Sequence, residues 1–218
     1  PVLPEHGAVV IDEGHELVDR ATAAVASELN TSMIDKALRR GRRLVDDASA
    51  DQLHVALDEF DEVLRTQALA LTGPTQLRPV GRDLILALTL LRDACHQVLA
   101  QIGSGDAKDQ DAVAARQQAK AALEEVHDAA AALLSAGEHD VVWLDPGESR
   151  APTLRIAPLS VSGLLREALF ARTPVVLTSA TLTVGGEFDP LLTSLGLSAE
   201  DVTAVDVGSP FDLSLIHI

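Results

Sequence analysis

Two short apolar runs, far apart in the chain, enclose a long stretch of helical periodicity, and no other feature constrains the fold as strongly. Residues 8–11 are apolar and mostly β-branched, so that residues 8–12 are predicted to form a buried strand, and residues 174–177 have a similar apolar character. Between the two runs, apolar side chains recur for more than a hundred residues at the three-to-four spacing of amphipathic helices. The sequence therefore predicts an α/β fold with a long helical insert.

Five apolar stripes mark the helices that we expect, and Gly or Pro residues mark most of their ends. The stripes run over residues 17–29, 34–45, 53–71, 84–102 and 123–133. The period then changes, and the sequence predicts strands at 140–144 and 153–156 and helices at 161–170 and 188–195. The plan is a strand, a long helical insert and then a return to α/β structure.

Composition and charge limit the function. The chain has 218 residues, 47% hydrophobic but only 2% aromatic, so we expect a globular protein with a core of Leu, Val, Ile and Ala. A net charge of −16 argues against a simple nucleic-acid-binding module, because phosphate backbones repel an acidic surface. The single cysteine, Cys95, excludes a disulfide framework and a cysteine metal site. Residues 84–91, the most apolar stretch, are too short to span a bilayer, and we expect a cytoplasmic protein with no membrane partner.

An Asp-Glu pair follows the first predicted strand. Asp12 and Glu13 stand where that strand ends, and α/β sheets bind ligands at the carboxyl ends of their strands. In a nucleotide-driven motor, Asp12 would hold Mg²⁺ through water and Glu13 would orient the attacking water. His15 would contact neighbouring motifs and help to couple the nucleotide to nucleic acid. The alternative is that Glu13 and Glu16 start a helix, where acidic side chains suit the helix dipole.

A cluster of hydroxyl side chains follows the second apolar run. Its members, with the alanine between them, are Thr178, Ser179, Ala180 and Thr181. The alternative to a functional role is a turn in which the hydroxyls satisfy backbone donors. Both motifs follow buried strands and occur in the order that a helicase motor domain requires. This order favours an ATP-driven nucleic-acid motor.

The densest basic run falls in the second predicted helix. It consists of Lys36, Arg39, Arg40, Arg42 and Arg43. At helical spacing these side chains would line a DNA passage through phosphate contacts. The alternative is a solvated helix face near Asp46 and Asp47.

Other conspicuous residues fit the core better than a site. Trp143 is interpreted as a core residue of its strand, with stacking on a base as the alternative. His54, His96 and His127 are isolated from each other and lack metal-ligand spacing. Cys95 fits a buried apolar stripe.

The two motifs resemble those of DinG/XPD-type DNA helicases of superfamily two. The similar segments are residues 10–17 (the DEAH box), 177–182 (motif III) with Gly185, Gly186, Phe188 and Asp189 after it, 157–159 and 163–167 (the segment before motif III), and 209–212 (the crossing into the second motor domain). Family members have Ala more often than Gly at position 14. The long separation between the motifs is typical of this family, whereas in DEAD-box RNA helicases the motifs are close.

The resemblance implies part of a RecA-like P-loop NTPase motor domain with a long inserted all-helical, arch-like domain. Residues 1–17 would carry the first strand and the DEAH box, and 18–138 would be the arch-like insert. Residues 139–205 would return to motor domain 1 with motif III, and 206–212 would begin the crossing to motor domain 2. Residues 213–218 depart from the family and are interpreted as a non-native tail.

The resemblance also implies an ATP-dependent DNA helicase that uses ATP and Mg²⁺ and moves 5′ to 3′ on single-stranded DNA in repair or replication. Hydrolysis would depend on Asp12, Glu13 and His15, and residues 178–181 would couple it to DNA. The family also allows an iron–sulfur cluster in the full-length protein, with ligands outside this segment.

No phosphate-binding loop of the form G-x-x-x-x-G-K-[ST] occurs in these residues. We therefore expect an internal fragment of a helicase that does not hydrolyse ATP on its own. One alternative is a non-catalytic helical interaction module that retains a helicase signature. Another is a DinG-like protein with a fused nuclease domain.

Overall fold

The computed structural model describes residues 5–103, 110–147 and 151–208. Seven α-helices and six strands lie within these ranges, so the predicted α/β class is confirmed. In chain order they are β1 (Val9–Asp12), α1 (Leu17–Val25), β2 (Ser27–Asn30), α2 (Thr31–Gly41), α3 (Asp47–Ala68), β3 (Thr75–Gln76), α4 (Arg82–Gly103), α5 (Gln110–Leu134), β4 (Asp140–Asp145), β5 (Thr153–Pro158), α6 (Ser162–Leu165), β6 (Val175–Thr178) and α7 (Asp189–Leu195). None of the helices in these ranges is long and apolar enough to cross a membrane. The predicted crossing at 209–212 and the predicted tail at 213–218 lie outside the described residues.

The chain divides into two compact units. The first comprises the chain up to Ala24 and the chain from Ser160 onward, and the second is Val25–Leu159. These bounds differ from the predicted insert, 18–138, because most of α1 lies in the first unit whereas β4 and β5 lie in the second. The assignment of the two units to a motor domain and an arch stays a prediction.

The sheet of the first unit has two parallel strands, β1 and β6. Val9 lies opposite Val175, and the register runs on to Asp12 opposite Thr178. The prediction that both strands are buried is wrong in this structure, because their residues alternate between half-buried and exposed, and Val10 and Val176 are 69% and 53% exposed. Parallel strands need a long crossover connection, and in this chain the connection contains the whole second unit.

A small apolar core packs on this sheet. Its buried members are Val161, Leu165 and Leu195, and Leu177 of β6 packs against them. α6 continues as a π-helical turn at Arg166–Phe170, which completes the predicted helix at 161–170. α7 ends at Leu195 and is capped by Gly196, where φ is 77°. A Cβ at this position would lie 2.5 Å from the carbonyl oxygen of Ser162, so only glycine fits there.

The second unit packs the helices α2 to α5 together with an antiparallel sheet of strand order β2-β5-β4-β3. Its core is aliphatic, as predicted, and Phe60 is the single buried aromatic side chain in the described ranges. Other large side chains that are fully buried there are Leu29, Ile34, Leu53, Leu64, Leu84, Leu88, Leu91, Ile102, Leu123, Leu144 and Leu154. The apolar stripes of the sequence therefore correspond to the buried faces of these helices.

The prediction that Leu29 belongs to the first helix is wrong. α1 ends at Val25, and Ser27–Asn30 pairs as β2 with β5. Leu29 is fully buried on that strand. The spacing of Leu29 from Leu17 matches a helix. Its partner strand β5, however, lies more than a hundred residues later in the chain, so local periodicity could not predict the pairing.

Two other boundaries also differ from the sequence prediction. α2 ends at Gly41, and a 3₁₀ turn at Arg42–Leu44 leads to an extended Val45. α3 ends at Ala68, so Leu71 lies beyond the helix. The short strand β3 was not expected, because two polar residues show no apolar alternation.

Candidate functional site

The parallel register of β1 and β6 brings the two sequence motifs together. Asp12 is the last residue of β1 and lies opposite Thr178, the last residue of β6. Parallel strands that end at the same edge place the segments that follow them side by side, and α/β sheets bind ligands at that edge. Residues 12–15 and 178–181 therefore form one site, which we call the strand-end site.

Two hydrogen bonds hold the carboxylate of Asp12 through the same oxygen. Oδ1 accepts from the backbone N–H of Glu13 at 3.0 Å and from the hydroxyl of Thr178 at 2.9 Å. No donor among the described residues reaches Oδ2. The side chain is exposed, so Asp12 combines a fixed orientation with one oxygen that is available to a ligand.

The hydroxyl of Ser179 links the acid and the histidine of the first motif. It donates to Glu13 Oε2 at 3.3 Å, and its oxygen lies 2.8 Å from His15 Nδ1. His15 Nδ1 lies 3.3 Å from the same Glu13 oxygen. The side chains of Glu13 and His15 are 60% and 39% exposed, so solvent screens the direct contact between them. The hydrogen bonds through Ser179 are what connect the ends of the two strands.

Ser179 also stabilises the turn in which it lies. Its Oγ accepts from the backbone N–H of Thr181 at 3.2 Å, as the turn interpretation of this motif predicts. A hydroxyl has one proton and two lone pairs. Ser179 can therefore donate to only one acceptor at a time, and the direction of its hydrogen bond with His15 Nδ1 depends on the tautomer of the imidazole ring. Ala180 lies exposed between the two hydroxyl residues and completes the predicted motif.

The backbone after β1 turns sharply. Glu13 has a φ of 53°, a left-handed conformation that costs a non-glycine residue about 1–2 kcal/mol. Gly14 is buried, and a Cβ there would lie 3.0 Å from the Cβ of Leu177, so the turn fits closely against β6. The helix-start alternative also fits the structure, because a 3₁₀ turn at Gly14–Glu16 follows Glu13 directly and leads into α1 at Leu17, although the Glu13 side chain makes no capping hydrogen bond.

The predicted DNA-contacting arginines lie in the second unit, on α2 and on the 3₁₀ turn after it. Arg39 forms an ion pair with Asp35 one helical turn earlier. Arg40, Arg42 and Arg43 are exposed, and no acidic side chain in the described part of the chain pairs with them. Three cationic groups therefore face solvent on one short segment of a strongly acidic chain.

The nearby acidic residue Asp46 serves a different purpose. It precedes α3, and its carboxylate accepts from the backbone N–H of Ser49 at 2.8 Å as a helix cap. This hydrogen bond lowers the pKa of Asp46 below its ordinary value. Asp46 does not neutralise the arginines that precede it in the sequence.

Two histidines that the sequence separates are neighbours in the structure. The ring centroids of His96 on α4 and His127 on α5 are 6.1 Å apart, so the prediction that they are isolated is wrong for this pair. The contact depends on how α4 and α5 pack, which helical spacing alone does not define. Within the described ranges, no three His, Cys, Asp or Glu side chains come together as a metal site.

The structure also shows the environments of three residues outside the strand-end site. Cys95 is fully buried, and burial raises the pKa of its thiol to about 12, so it stays protonated. Trp143 is half-buried on β4 and lies outside the core, contrary to prediction. Arg155 on β5, which the sequence did not single out, contacts Asp145 at 2.9 Å and Glu28 at 3.2 Å and thereby ties β5 to both neighbouring strands.

Fold and site together define an α/β protein with an acid pair and a hydroxyl cluster at one edge of a parallel sheet. No protein-family model matches the chain. It is 39% identical to the ATP-dependent helicase DinG of Mycobacterium tuberculosis strain H37Ra over 96% of this chain and 32% of that protein. It is 29% identical to the probable ATP-dependent helicase YpvA of Bacillus subtilis strain 168, over 97% of this chain and 33% of that protein. A shorter match, 38% identical over 34% of this chain and 8% of the relative, is to the 3'-5' exonuclease DinG of Bacillus subtilis.

The resemblance to DinG-type helicases is confirmed, since the similarity to these relatives extends over nearly the whole chain. The chain spans about a third of the length of the curated relatives that it matches over nearly all its residues.

Proposed function

We propose that this segment belongs to an ATP-dependent DNA helicase and carries part of its ATP-hydrolysing site. The observation that carries the proposal is the register of β1 and β6, which joins the acid pair to the hydroxyl cluster through hydrogen bonds from Thr178 and Ser179. The names of the longest-matching relatives, both ATP-dependent helicases, support it. They do not favour the non-catalytic interaction module.

In the proposed site, Asp12 would hold Mg²⁺ through water. The donor set fits this ion, since Mg²⁺ prefers oxygen ligands, keeps several waters and needs only one or two carboxylates beside the substrate phosphates. The free Oδ2 of Asp12 supplies such an oxygen. When bound, Mg²⁺ would neutralise the charge on the transferred phosphoryl group.

Glu13 would orient the attacking water and receive its proton. The left-handed turn at Glu13 places the carboxylate beyond the end of β1, where it is 60% exposed. Ser179 donates a hydrogen bond to Oε2 and His15 Nδ1 lies 3.3 Å from the same oxygen, so these two contacts restrain the Glu13 carboxylate. We propose that this link through Ser179 is how residues 178–181 couple hydrolysis to DNA.

We assign different roles to the two compact units. We propose that the first unit is part of a RecA-like motor domain and that the second, Val25–Leu159, forms the arch-like insert. Arg40, Arg42 and Arg43, with Arg39, would contact the phosphates of single-stranded DNA. By family resemblance the intact protein would move 5′ to 3′ in DNA repair or replication in the cytoplasm.

Removal of the Glu13 carboxylate tests the proposal. In the full-length protein, Glu13→Gln keeps the side-chain shape but cannot accept the proton, so we expect DNA-stimulated ATP turnover to fall about 10²–10⁴-fold. Glu187→Gln, an exposed change in the same unit, is the matched control and should leave turnover unchanged. Unchanged turnover in Glu13→Gln would overturn the proposed hydrolytic role of this site.

A further inference from the structure

Thr178 contacts the first motif in a different way from the hydroxyls that follow it. Its Oγ1 donates to Asp12 Oδ1 at 2.9 Å, whereas Ser179 contacts Glu13 and His15. The contact follows from the register, since the last residue of β6 lies opposite the last residue of β1. The backbone on both sides of this hydrogen bond is therefore fixed by strand pairing.

We propose that Thr178 is a positioning residue that sets the orientation of the Asp12 carboxylate toward Mg²⁺, an inference that rests on the proposed function. The two donors on Oδ1, the Thr178 hydroxyl and the Glu13 N–H, fix the carboxylate plane. Oδ2 would then be the oxygen that Asp12 presents to the water shell of the ion. The partners that orient a metal-binding carboxylate have a large effect on metal affinity.

Strand pairing alone does not supply this orientation. The Glu13 N–H approaches Asp12 from the adjacent residue, so it restrains Oδ1 but leaves the carboxylate able to rotate about that one contact. The Thr178 hydroxyl comes from the neighbouring strand and adds a second direction. Removing it should leave β1 and β6 paired while the carboxylate loses its fixed plane.

The test measures metal binding in the full-length protein, separately from turnover. Thr178→Val keeps the β-branched shape and deletes the hydroxyl, and Thr178→Ser restores it. Thr193→Val makes the same change at an exposed threonine of α7 and is the matched control. Binding of Mn²⁺, as a spectroscopic substitute for Mg²⁺, is followed by electron paramagnetic resonance with a non-hydrolysable ATP analogue present.

We expect Thr178→Val to weaken Mn²⁺ binding about tenfold, with Thr178→Ser and Thr193→Val close to wild type. The Mg²⁺ concentration for half-maximal ATP turnover should rise in parallel. Wild-type Mn²⁺ affinity in Thr178→Val, together with a clear loss in Asp12→Asn, would overturn the inference and leave the proposed function standing. If Asp12→Asn also binds Mn²⁺ normally, the proposed magnesium site itself is wrong. Should Thr178→Val fail to fold, Thr178→Ala takes its place in the same comparison.

Discussion

Glu13 and Gly196 show how single residues fix the geometry of the first unit. Glu13 is the only non-glycine residue with a positive φ in the described part of the chain, and it carries one of the two acids of the site. Strain of this kind persists only where the surroundings determine the conformation. At Glu13 the surroundings are the close fit of Gly14 against Leu177 and the hydrogen bond from Ser179. The left-handed conformation of Glu13 thus lowers local stability while it determines where the Glu13 carboxylate lies.

Gly196 allows a test of close packing that separates it from backbone conformation. Gly196→Ala adds a Cβ 2.5 Å from a backbone oxygen at a φ of 77°, whereas Gly186→Ala adds one at a φ of 88° with no atom within 4 Å. We expect Gly186→Ala to lower the free energy of unfolding by about 1 kcal/mol and Gly196→Ala by about 3 kcal/mol. Both variants strain the backbone, but only the Cβ of Gly196→Ala also clashes with a neighbouring atom. Urea unfolding measures both. Equal losses would mean that α7 moves freely away from Ser162.

At the level of elements, the sequence predicted the long helices better than the short strands. The stripes of α3, α4 and α5 were clear because each helix buries one face over many turns. β2 and β3 were missed because each owes its existence to a partner strand distant in sequence. The strand-end motifs were predicted, but the contact of Thr178 with Asp12 depends on the β1–β6 register, which no local pattern contains.

The junction from β2 to α2 carries a prediction about the second unit. Asn30 Oδ1 accepts from the backbone N–H of Met33 at 3.1 Å and so caps α2 directly after the strand. Asn30→Ala should lower the free energy of unfolding by about 1 kcal/mol, and Asn30→Asp, which keeps the acceptor, by only a few tenths. Urea unfolding followed by circular dichroism compares the two. An alanine variant as stable as wild type would show that the capping bond contributes nothing.

On the scale of the whole molecule, the charge distribution separates this chain from simple nucleic-acid-binding modules. Because the net charge of −16 repels DNA, any binding of a phosphate backbone must depend on a local group of basic side chains. Arg40, Arg42 and Arg43 offer that local charge because none is neutralised within the described ranges. Arg39, by contrast, already pairs with Asp35. The unpaired arginines are therefore the residues whose removal should be visible in DNA binding.

The salt dependence of DNA binding distinguishes a phosphate contact from a general charge effect. Each phosphate of single-stranded DNA that a protein neutralises contributes about 0.7 to the slope of log affinity against log salt concentration. Arg40→Ala with Arg43→Ala should therefore reduce the slope by about 1.4 in the full-length protein, measured by fluorescence anisotropy with a labelled oligonucleotide. Arg78→Ala with Arg82→Ala removes the same charge from exposed positions of the same unit and should leave the slope unchanged. If both double variants change the slope equally, net charge is responsible, and the segment after α2 is a solvated surface rather than a DNA contact.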